Sequence, residues 1–221
     1  MKKVIAFSLW GNNPKYTIGA LRNAELSPTI YPGWICRFYI GKDVPWDIVT
    51  ELSRHKHVEI FIMSDPADWT GSVWRFYSAA DDTVDIMISR DTDSRLNHRE
   101  KAAVDEWLLS DKDFHIMRDH PHHREVILAG MWGCRNRIMR GIVKSINQFR
   151  LTDNYDIDQD FLRKSIFPAI KDHTKVHDDF FEKTGFPTER KDFEYVGEIY
   201  DEFENRAPIE RNIIKNFILH R

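Results

Sequence analysis

Short apolar runs alternate with amphipathic stretches along the first half of the chain, and this pattern predicts strands that alternate with helices. The predicted strands cover residues 4–9, 34–40, 58–63, 84–89 and 114–117, and the predicted helices cover residues 15–31, 47–55, 74–80 and 97–109. Such alternation is typical of an α/β fold with a mainly parallel central sheet flanked by helices. In sheets of this kind, ligands bind at the carboxyl ends of the strands. The loops expected to carry a site therefore follow Leu9, Ile40, Met63 and Ser89.

The second half of the chain is less regular. A further strand is predicted at residues 127–132, and helices are predicted at residues 138–148, 158–166 and 209–219. In the last helix, the residues expected to pack inward are Ile213, Ile214, Phe217 and Ile218. Residues 186–206 carry proline, glycine and many charges, which predicts a mixture of strand and loop that wraps around the site.

Composition narrows the class of protein. Of the 221 residues, 42% are hydrophobic and 13% aromatic, which is enough for a core and argues against a disordered chain. The net charge of −3 gives no basic face of the kind that nucleic-acid binding requires. Cys36 and Cys134 lie in apolar surroundings and are expected to be buried, reduced thiols. The first apolar run is too short for a secretory signal, and no stretch is long enough to span a bilayer, so we expect a cytoplasmic protein.

The segment ISRDTDSRL carries the strongest candidate chemistry, since Asp91 and Asp93 directly follow an apolar predicted strand. Alternate residues of an extended segment point to the same side, so both carboxylates can face one hard cation such as Mn²⁺ or Mg²⁺. The D-x-D pattern itself is weak because the chain contains it four times, at 91/93, 111/113, 156/158 and 158/160. Only the first pair stands at the end of a predicted buried strand.

A purely structural interpretation of the same segment stays open. An acidic turn can cap the helix predicted to begin at Asn97, and both Ser94 and Asn97 are residue types that cap helices.

Longer stretches of the sequence resemble a known family. WRFYSAADD followed by VDIMISRDTDSRL resembles the segment that leads into the D-x-D motif of GT-A glycosyltransferases. The runs RDTDSRLNHREKAAVDEWL, DFHIMRDHPHH, ILAGMWG, DQDFL and VHDDFF are similar to small proteins of viruses and bacteria classed as glycosyltransferases, and more distantly to glycogenin-like transferases.

This resemblance implies a GT-A (Rossmann-like) α/β fold and a hexosyltransferase-like enzyme of glycan synthesis. Such an enzyme moves a sugar from a nucleotide-sugar donor, a UDP- or GDP-sugar, to a glycan or another hydroxyl acceptor, with Mn²⁺ or Mg²⁺ as cofactor. It also implies one domain over residues 1–221, with a nucleotide-binding half at 1–96 and an acceptor-side half at 97–221. For a viral protein the expected location is the host cytoplasm.

The resemblance also implies roles for single residues. Arg75 stands where a basic residue meets the nucleotide end of the donor, and His177 stands where a third metal ligand would join Asp91 and Asp93. His177 can equally be an ordinary surface histidine. In DQDFL, Asp158 is expected to accept the proton of the acceptor hydroxyl, or Gln159 to contact the reacting sugar. The alternative for DQDFL is an acidic helix N-terminus.

Three further groups are candidates for ligand contacts. In the first loop, Ser8, Leu9 and Trp10 are expected to contact the nucleotide. The histidines of RDHPHH lack the regular spacing of a zinc site, so Asp119 and His120 are expected to contact sugar hydroxyls instead. Trp132, in the turn GMWG, is expected either to stack on an acceptor sugar or to belong to the core.

Three other functions compete with this prediction. A nucleotidyltransferase should carry a glycine-rich loop and a basic residue after the first strand, and SLWGNNP has a single glycine. A carbohydrate- or nucleotide-binding module without turnover would share most of the same residues. A metal-dependent hydrolase would need a second metal cluster or a positioned base for water.

Overall fold

The computed structural model describes residues 1–64, 68–135 and 137–220, which form one seven-stranded sheet with helices on both faces. The strands are β1 (Lys3–Leu9), β2 (Ile35–Ile40), β3 (Val58–Ile62), β4 (Ile86–Ser89), β5 (Phe114–Arg118), β6 (Trp132–Arg135) and β7 (Thr174–Asp178). Their order across the sheet is β3-β2-β1-β4-β6-β5-β7. Only β6 runs antiparallel to its neighbours in this sheet of described strands. The α/β fold with a mainly parallel sheet is therefore confirmed.

The helices cover both faces of the sheet. They are α1 (Pro14–Ile30), α2 (Trp46–Ser53), α3 (His98–Leu109), α4 (Ile142–Gln148), α5 (Ile157–Phe161), α6 (Phe167–Ile170) and α7 (Pro208–Leu219). A long 3₁₀ helix spans Trp69–Ala79, a π-helical turn spans Leu162–Ile166, and a short 3₁₀ turn spans Lys171–His173. Within the described residues, no helix combines the length and the apolar character that crossing a bilayer demands.

The elements of the first half lie close to their predicted positions, whereas those of the second half differ more. The strand predicted at residues 127–132 begins only at Trp132, because the residues before it form a loop. Residues 186–206 contain no strand, and they contact the body through isolated bridges such as Ser94 with Ile199. In α7, Ile214 is fully buried, but Phe217 and Ile218 are 40% and 36% exposed, so the expected inward packing is only partly correct.

Two apolar layers lie on opposite faces of the sheet, and the alternation of β1 shows how they arise. Ile5 and Phe7 point towards the layer under α1, α2 and α3, while Val4 and Ala6 point towards the layer under the 3₁₀ helix, α4 and α5. Cys36 and Cys134 are free and buried, as expected, and burial raises the pKa of each thiol to about 12.

The loop after β4 is held against α1 by very close packing. Asn23 of α1 is fully buried, donates from Nδ2 to the carbonyl oxygens of Thr92 (3.3 Å) and Ser94 (2.8 Å), and accepts from the Leu96 amide (3.1 Å). One turn earlier, Gly19 lies so near that a Cβ there would stand 2.0 Å from the Thr92 oxygen. The position of residues 91–96 therefore depends on a small residue and an amide in α1.

This packing predicts that Gly19→Ala destabilises the protein, because α1 or the loop must move to admit the methyl group. The expected loss in the free energy of unfolding is roughly 1–3 kcal/mol, measured by urea denaturation. Gly141→Ala is the matched control, since a Cβ at Gly141 meets no described atom within 4 Å and should leave stability nearly unchanged. Equal losses in both variants would contradict this account of the packing.

Candidate active site

A cavity of about 440 Å³ opens at the carboxyl ends of β1 and β4. Its wall includes eight of the residues expected from the sequence: Ser8, Leu9, Trp10, Arg75, Asp91, Asp93, Asp158 and Gln159. The 3₁₀ helix, the loop before β6, α5 and the segment around Gly197 close the remaining sides. The cavity thus occupies the edge of the sheet where ligands of α/β proteins bind.

Arg75 lies at the centre of the charged groups. Its guanidinium is buried, contacts Asp91 through Nη1, and lies 2.7 Å from Asp158 Oδ2 through Nη2. Burial alone would lower the pKa of Arg75, but the two carboxylates outweigh it and raise the pKa. The guanidinium is therefore committed to protein carboxylates rather than held free for a nucleotide.

The Asp91 carboxylate is open to the cavity and is closely approached by the loop before β6. Its side chain is 43% exposed, and a Cβ at Gly130 would lie 1.8 Å from Asp91 Oδ2. Glycine at position 130 is thus required for the loop before β6 to pass behind this carboxylate.

Asp93 pairs with Lys15, whereas Asp91 pairs with Arg75. Its Oδ2 lies 2.6 Å from Lys15 Nζ, at the start of α1, and its carbonyl accepts from the Tyr200 amide (2.8 Å). Burial raises the pKa of Asp93, and Asp91 adds to this effect while Lys15 opposes it. Thr92 and Asp93 form a turn rather than an extended segment, yet both carboxylates of the motif reach the cavity. The capping alternative holds only in part, since Asn97 caps α3 but Ser94 donates to the Asp91 carbonyl.

The two residues of DQDFL are held in place by local contacts. Asp158 is nearly buried, and its Oδ1 accepts from the Gln159 amide (2.8 Å). Burial raises the pKa of Asp158, with Arg75 opposing and Asp91 reinforcing the shift. The Gln159 side chain donates to the Ile127 carbonyl (2.8 Å) and accepts from the Ala129 amide, so it fixes the loop before β6.

Aromatic side chains form the wall near β1. Trp10 meets Trp69 edge-on with ring centroids 5.6 Å apart, and Trp69 meets Tyr155 at 4.8 Å. Ser8 lines the cavity, but its hydroxyl accepts from the Arg75 amide (3.0 Å) and donates to the Ser72 carbonyl (3.2 Å). Ser8 therefore supports the 3₁₀ helix.

The structure places His177 away from the cavity, which contradicts its predicted role as a metal ligand. In the sheet, β6 and β5 separate β4 from β7, so the two motifs end on distant strands. The His177 ring is buried, its Nδ1 lies 2.8 Å from His115 Nε2, and its Nε2 lies 3.6 Å from Glu106 Oε2.

The three residues predicted to contact sugar also lie outside the cavity wall. Asp119 is fully buried and binds Arg99 through both carboxylate oxygens, at 2.8 and 3.0 Å. His120 is buried, with Nε2 2.8 Å from the Glu210 carbonyl. Trp132 is a core residue whose ring packs edge-on against Phe76 at 5.5 Å.

Several residues of the site were not predicted. Lys15 and Asn23 act through packing between α1 and a loop distant in sequence, for which the sequence carries no local signal. His123 lines the cavity although it belongs to the same RDHPHH run that directed attention to Asp119 and His120. The clustered histidines were thus a useful signal, but the turn decides which one faces the cavity.

The donor set at the cavity suits a hard cation. Asp91 and Asp93 offer only oxygen atoms, the ligands that Mn²⁺ and Mg²⁺ prefer. Among the described residues, the one group of three or more closely spaced metal-ligand atoms is His120, His122 and Glu210, outside the cavity. A cation beside Asp91 and Asp93 would therefore need further oxygens from a bound ligand.

The buried His115–His177 pair predicts that stability falls in mild acid. Burial lowers the pKa of His177 to about 4, against about 6.5 in the unfolded chain. Between these values the unfolded state binds the proton and the folded state does not, so the free energy of unfolding decreases as pH falls from about 6.5 to about 4. Urea denaturation at pH 7 and pH 5 should show a smaller loss for His177→Gln than for the wild type.

His98→Gln, at an exposed position of α3, is the control and should retain the wild-type pH dependence. A pH dependence in His177→Gln identical to that of the wild type would count against this interpretation.

Neither a protein-family model nor a curated protein matches the sequence. Among solved structures, the chain is similar to glucosyl-3-phosphoglycerate synthase from Mycobacterium tuberculosis in complex with Mn²⁺, UDP-glucose and phosphoglyceric acid. The TM-score is 0.53 at 11% identity, over 86% of this chain and 72% of that one.

Two other similarities are weaker. A glycosyltransferase involved in glycosylation of the major capsid of PBCV-1 has a TM-score of 0.48 at 18% identity, over 81% of this chain and 82% of that one. The 4-diphosphocytidyl-2C-methyl-D-erythritol synthase of Anaerococcus prevotii has a TM-score of 0.49 at 11% identity, over 100% of this chain and 97% of that one. Because both TM-scores are below 0.5, neither bears on function. The similarity to the mycobacterial enzyme concerns the fold, and the GT-A (Rossmann-like) α/β fold expected from the sequence is confirmed.

Proposed function

We propose that this chain is a metal-dependent glycosyltransferase that moves a sugar from a nucleotide-sugar donor to a hydroxyl acceptor. The observation that carries the proposal is the convergence of Asp91, Asp93 and Asp158 on one cavity at the carboxyl ends of β1 and β4. Residues 1–96 would hold the nucleotide and residues 97–221 the acceptor, which accords with a cavity wall built from both halves.

The charges of the cavity support a requirement for a cation. Among the residues that the structure describes, four carboxylates line it, those of Asp91, Asp93, Asp156 and Asp158, and the cations paired with them are Arg75 and Lys15. Two carboxylates therefore remain unbalanced, and they would repel a diphosphate. A divalent cation held by Asp91 and Asp93 together with diphosphate oxygens would remove this repulsion and, as a Lewis acid, neutralise charge on the leaving nucleoside diphosphate.

The remaining roles follow from position in the cavity. The loop after β1 and the wall formed by Trp10, Trp69 and Tyr155 would receive the nucleoside, since aromatic faces stack on bases. Asp158 is our candidate for the group that accepts the proton of the acceptor hydroxyl, because it lines the cavity and burial raises its pKa, which makes it a stronger base. Gln159 would act by holding the loop before β6.

Measurements of turnover distinguish the proposed transferase from a hydrolase and from a binding module. Release of nucleoside diphosphate from a nucleotide sugar should depend on an added hydroxyl acceptor. Release at the same rate without any acceptor would instead indicate a hydrolase. Binding of the nucleotide sugar without release, across a broad panel of acceptors, would indicate a binding module.

We predict that Asp91→Asn abolishes metal-dependent binding of the nucleotide. In the wild type, one of UDP or GDP should raise the apparent stability only when Mn²⁺ is present, by about 2.7 kcal/mol at one hundred times its dissociation constant. Thermal shift assays measure this effect directly. Asp111→Asn, an exposed aspartate of another D-x-D pair, is the control and should behave like the wild type. A full Mn²⁺-dependent shift in Asp91→Asn would refute the assignment of the metal site.

We further predict that Lys15→Met strengthens the binding of Mn²⁺ in the absence of nucleotide. The Lys15 ammonium occupies Asp93 Oδ2, so an entering cation must displace it. Removing it should tighten Mn²⁺ binding by roughly three- to tenfold, which isothermal titration calorimetry can measure. Lys101→Met removes a comparable lysine, paired with Asp105 on α3, and should have no effect. Weaker Mn²⁺ binding in Lys15→Met would argue against displacement.

A further inference from the structure

A hydrogen bond from the backbone determines which ring nitrogen of His123 carries the proton. The amide of Asp119 lies 3.0 Å from His123 Nδ1. A backbone N–H can only donate, so Nδ1 must accept, and the neutral ring must carry its proton on Nε2. The tautomer of His123 is therefore set by the turn that contains it.

The same turn fixes the direction of the ring. The His123 amide donates to the His120 carbonyl (2.9 Å), and the ring packs against those of His120 and Tyr195, with centroids 5.6 and 5.9 Å apart. Asp119 anchors this turn, because its buried carboxylate binds Arg99 and accepts a hydrogen bond from the Val196 amide (2.9 Å). His123 thus stands on a rigid support that connects β5, α3 and the C-terminal segment.

The environment keeps this ring uncharged. Burial, aided by the neighbouring His120 and Arg190, lowers the pKa of His123 to about 3. With Nδ1 engaged and the ring neutral, His123 is neither a free base nor a cation at physiological pH. What remains is a single oriented donor, Nε2–H.

Within residues 1–64, 68–135 and 137–220, the hydrogen bond of the His123 ring is the one at Nδ1, and none involves Nε2. His123 lines the cavity, as do Leu128, Met131 and Gly197, which also belong to the second half of the chain. The residue is half-buried and Nε2 is not among the buried unpaired atoms, so this N–H is open to an oxygen of a ligand or of a water molecule in the cavity.

We propose that His123 Nε2–H donates a hydrogen bond to a hydroxyl oxygen of a sugar bound in this cavity. The inference rests on the proposed function, since it places a carbohydrate there. An uncharged donor matches an uncharged oxygen, whereas a phosphate is better matched by a cation. The hydroxyl belongs either to the transferred sugar or to the acceptor sugar, and binding measurements separate the two.

The first test concerns the tautomer and needs no substrate. In ¹⁵N-labelled protein, long-range ¹H–¹⁵N correlation should show His123 as the neutral Nε2–H form, unchanged between pH 5 and pH 8. Assignment comes from the disappearance of the signal in His123→Gln. A ring protonated on Nδ1, or one that gains charge within this range, would overturn the inference.

The second test compares two substitutions at the same position. Affinities for UDP-glucose, UDP-galactose, UDP-N-acetylglucosamine and GDP-mannose are measured beside those for UDP and GDP, all with Mn²⁺. His123→Phe keeps an aromatic ring but loses the donor, and His123→Gln keeps an N–H donor near the position of Nε2. His122→Phe, at a neighbouring exposed histidine outside the cavity wall, is the control.

For a contact with the transferred sugar, His123→Phe should weaken binding of the nucleotide sugar about five- to tenfold, with unchanged affinity for the nucleoside diphosphate and partial recovery in His123→Gln. For a contact with the acceptor, donor affinity should stay constant while the KM for monosaccharide and methyl-glycoside acceptors rises by a similar factor. If neither quantity changes in His123→Phe, the contact does not exist, although the proposed function stands. If the wild type binds no member of the panel, the proposed function fails and the sugar contact fails with it.

Discussion

A single buried guanidinium, that of Arg75, joins the parts of the chain that enclose the cavity. It leaves the 3₁₀ helix and meets one carboxylate from the loop after β4 and another from α5. A buried charge persists only with partners of opposite sign, and removing one partner typically costs about 3–5 kcal/mol. The distance between Asp91 and Asp158 is therefore fixed by a cation that belongs to the protein itself. The two acidic groups of the proposed site are held in place before any ligand arrives.

Around this ion pair, close backbone approaches set the remaining geometry. Gly19 and Asn23 let α1 press against the loop that carries the D-x-D motif, and Gly130 lets a second loop pass behind Asp91. At Gly19 and at Gly130, the approaching backbone or carboxylate leaves no space for a side chain. Rigid support of this kind suits groups that must act together on one ligand, because a displacement of about 1 Å can already impair positioning.

The sequence allowed the fold and part of the site to be predicted, for identifiable physical reasons. Apolar runs between amphipathic helices indicate parallel strands, and a D-x-D pair at the end of such a strand must lie at the ligand-binding edge. The sequence contains no comparable pattern from which the order of the strands across the sheet can be predicted. His177 was misplaced because β7 lies at the far side of the sheet from β4. Trp132 lies in the core, the second of its two expected positions, because its strand is a central one. Within RDHPHH, only the folded turn shows that His123, not His120, faces the cavity.

The reversed direction of β6 has a consequence for how such a molecule can diversify. A parallel strand delivers its following loop to the ligand-binding edge, but β6 delivers the loop that precedes it. Residues 119–131 therefore form one long connection at this edge, bounded by β5 and β6. Changes at its exposed positions His122 and Arg124, which leave Asp119 and Gly130 untouched, would be absorbed outside the sheet without disturbing the strand pairing. These positions are where directed evolution could alter the selectivity of the proposed transferase while the acidic centre stays intact.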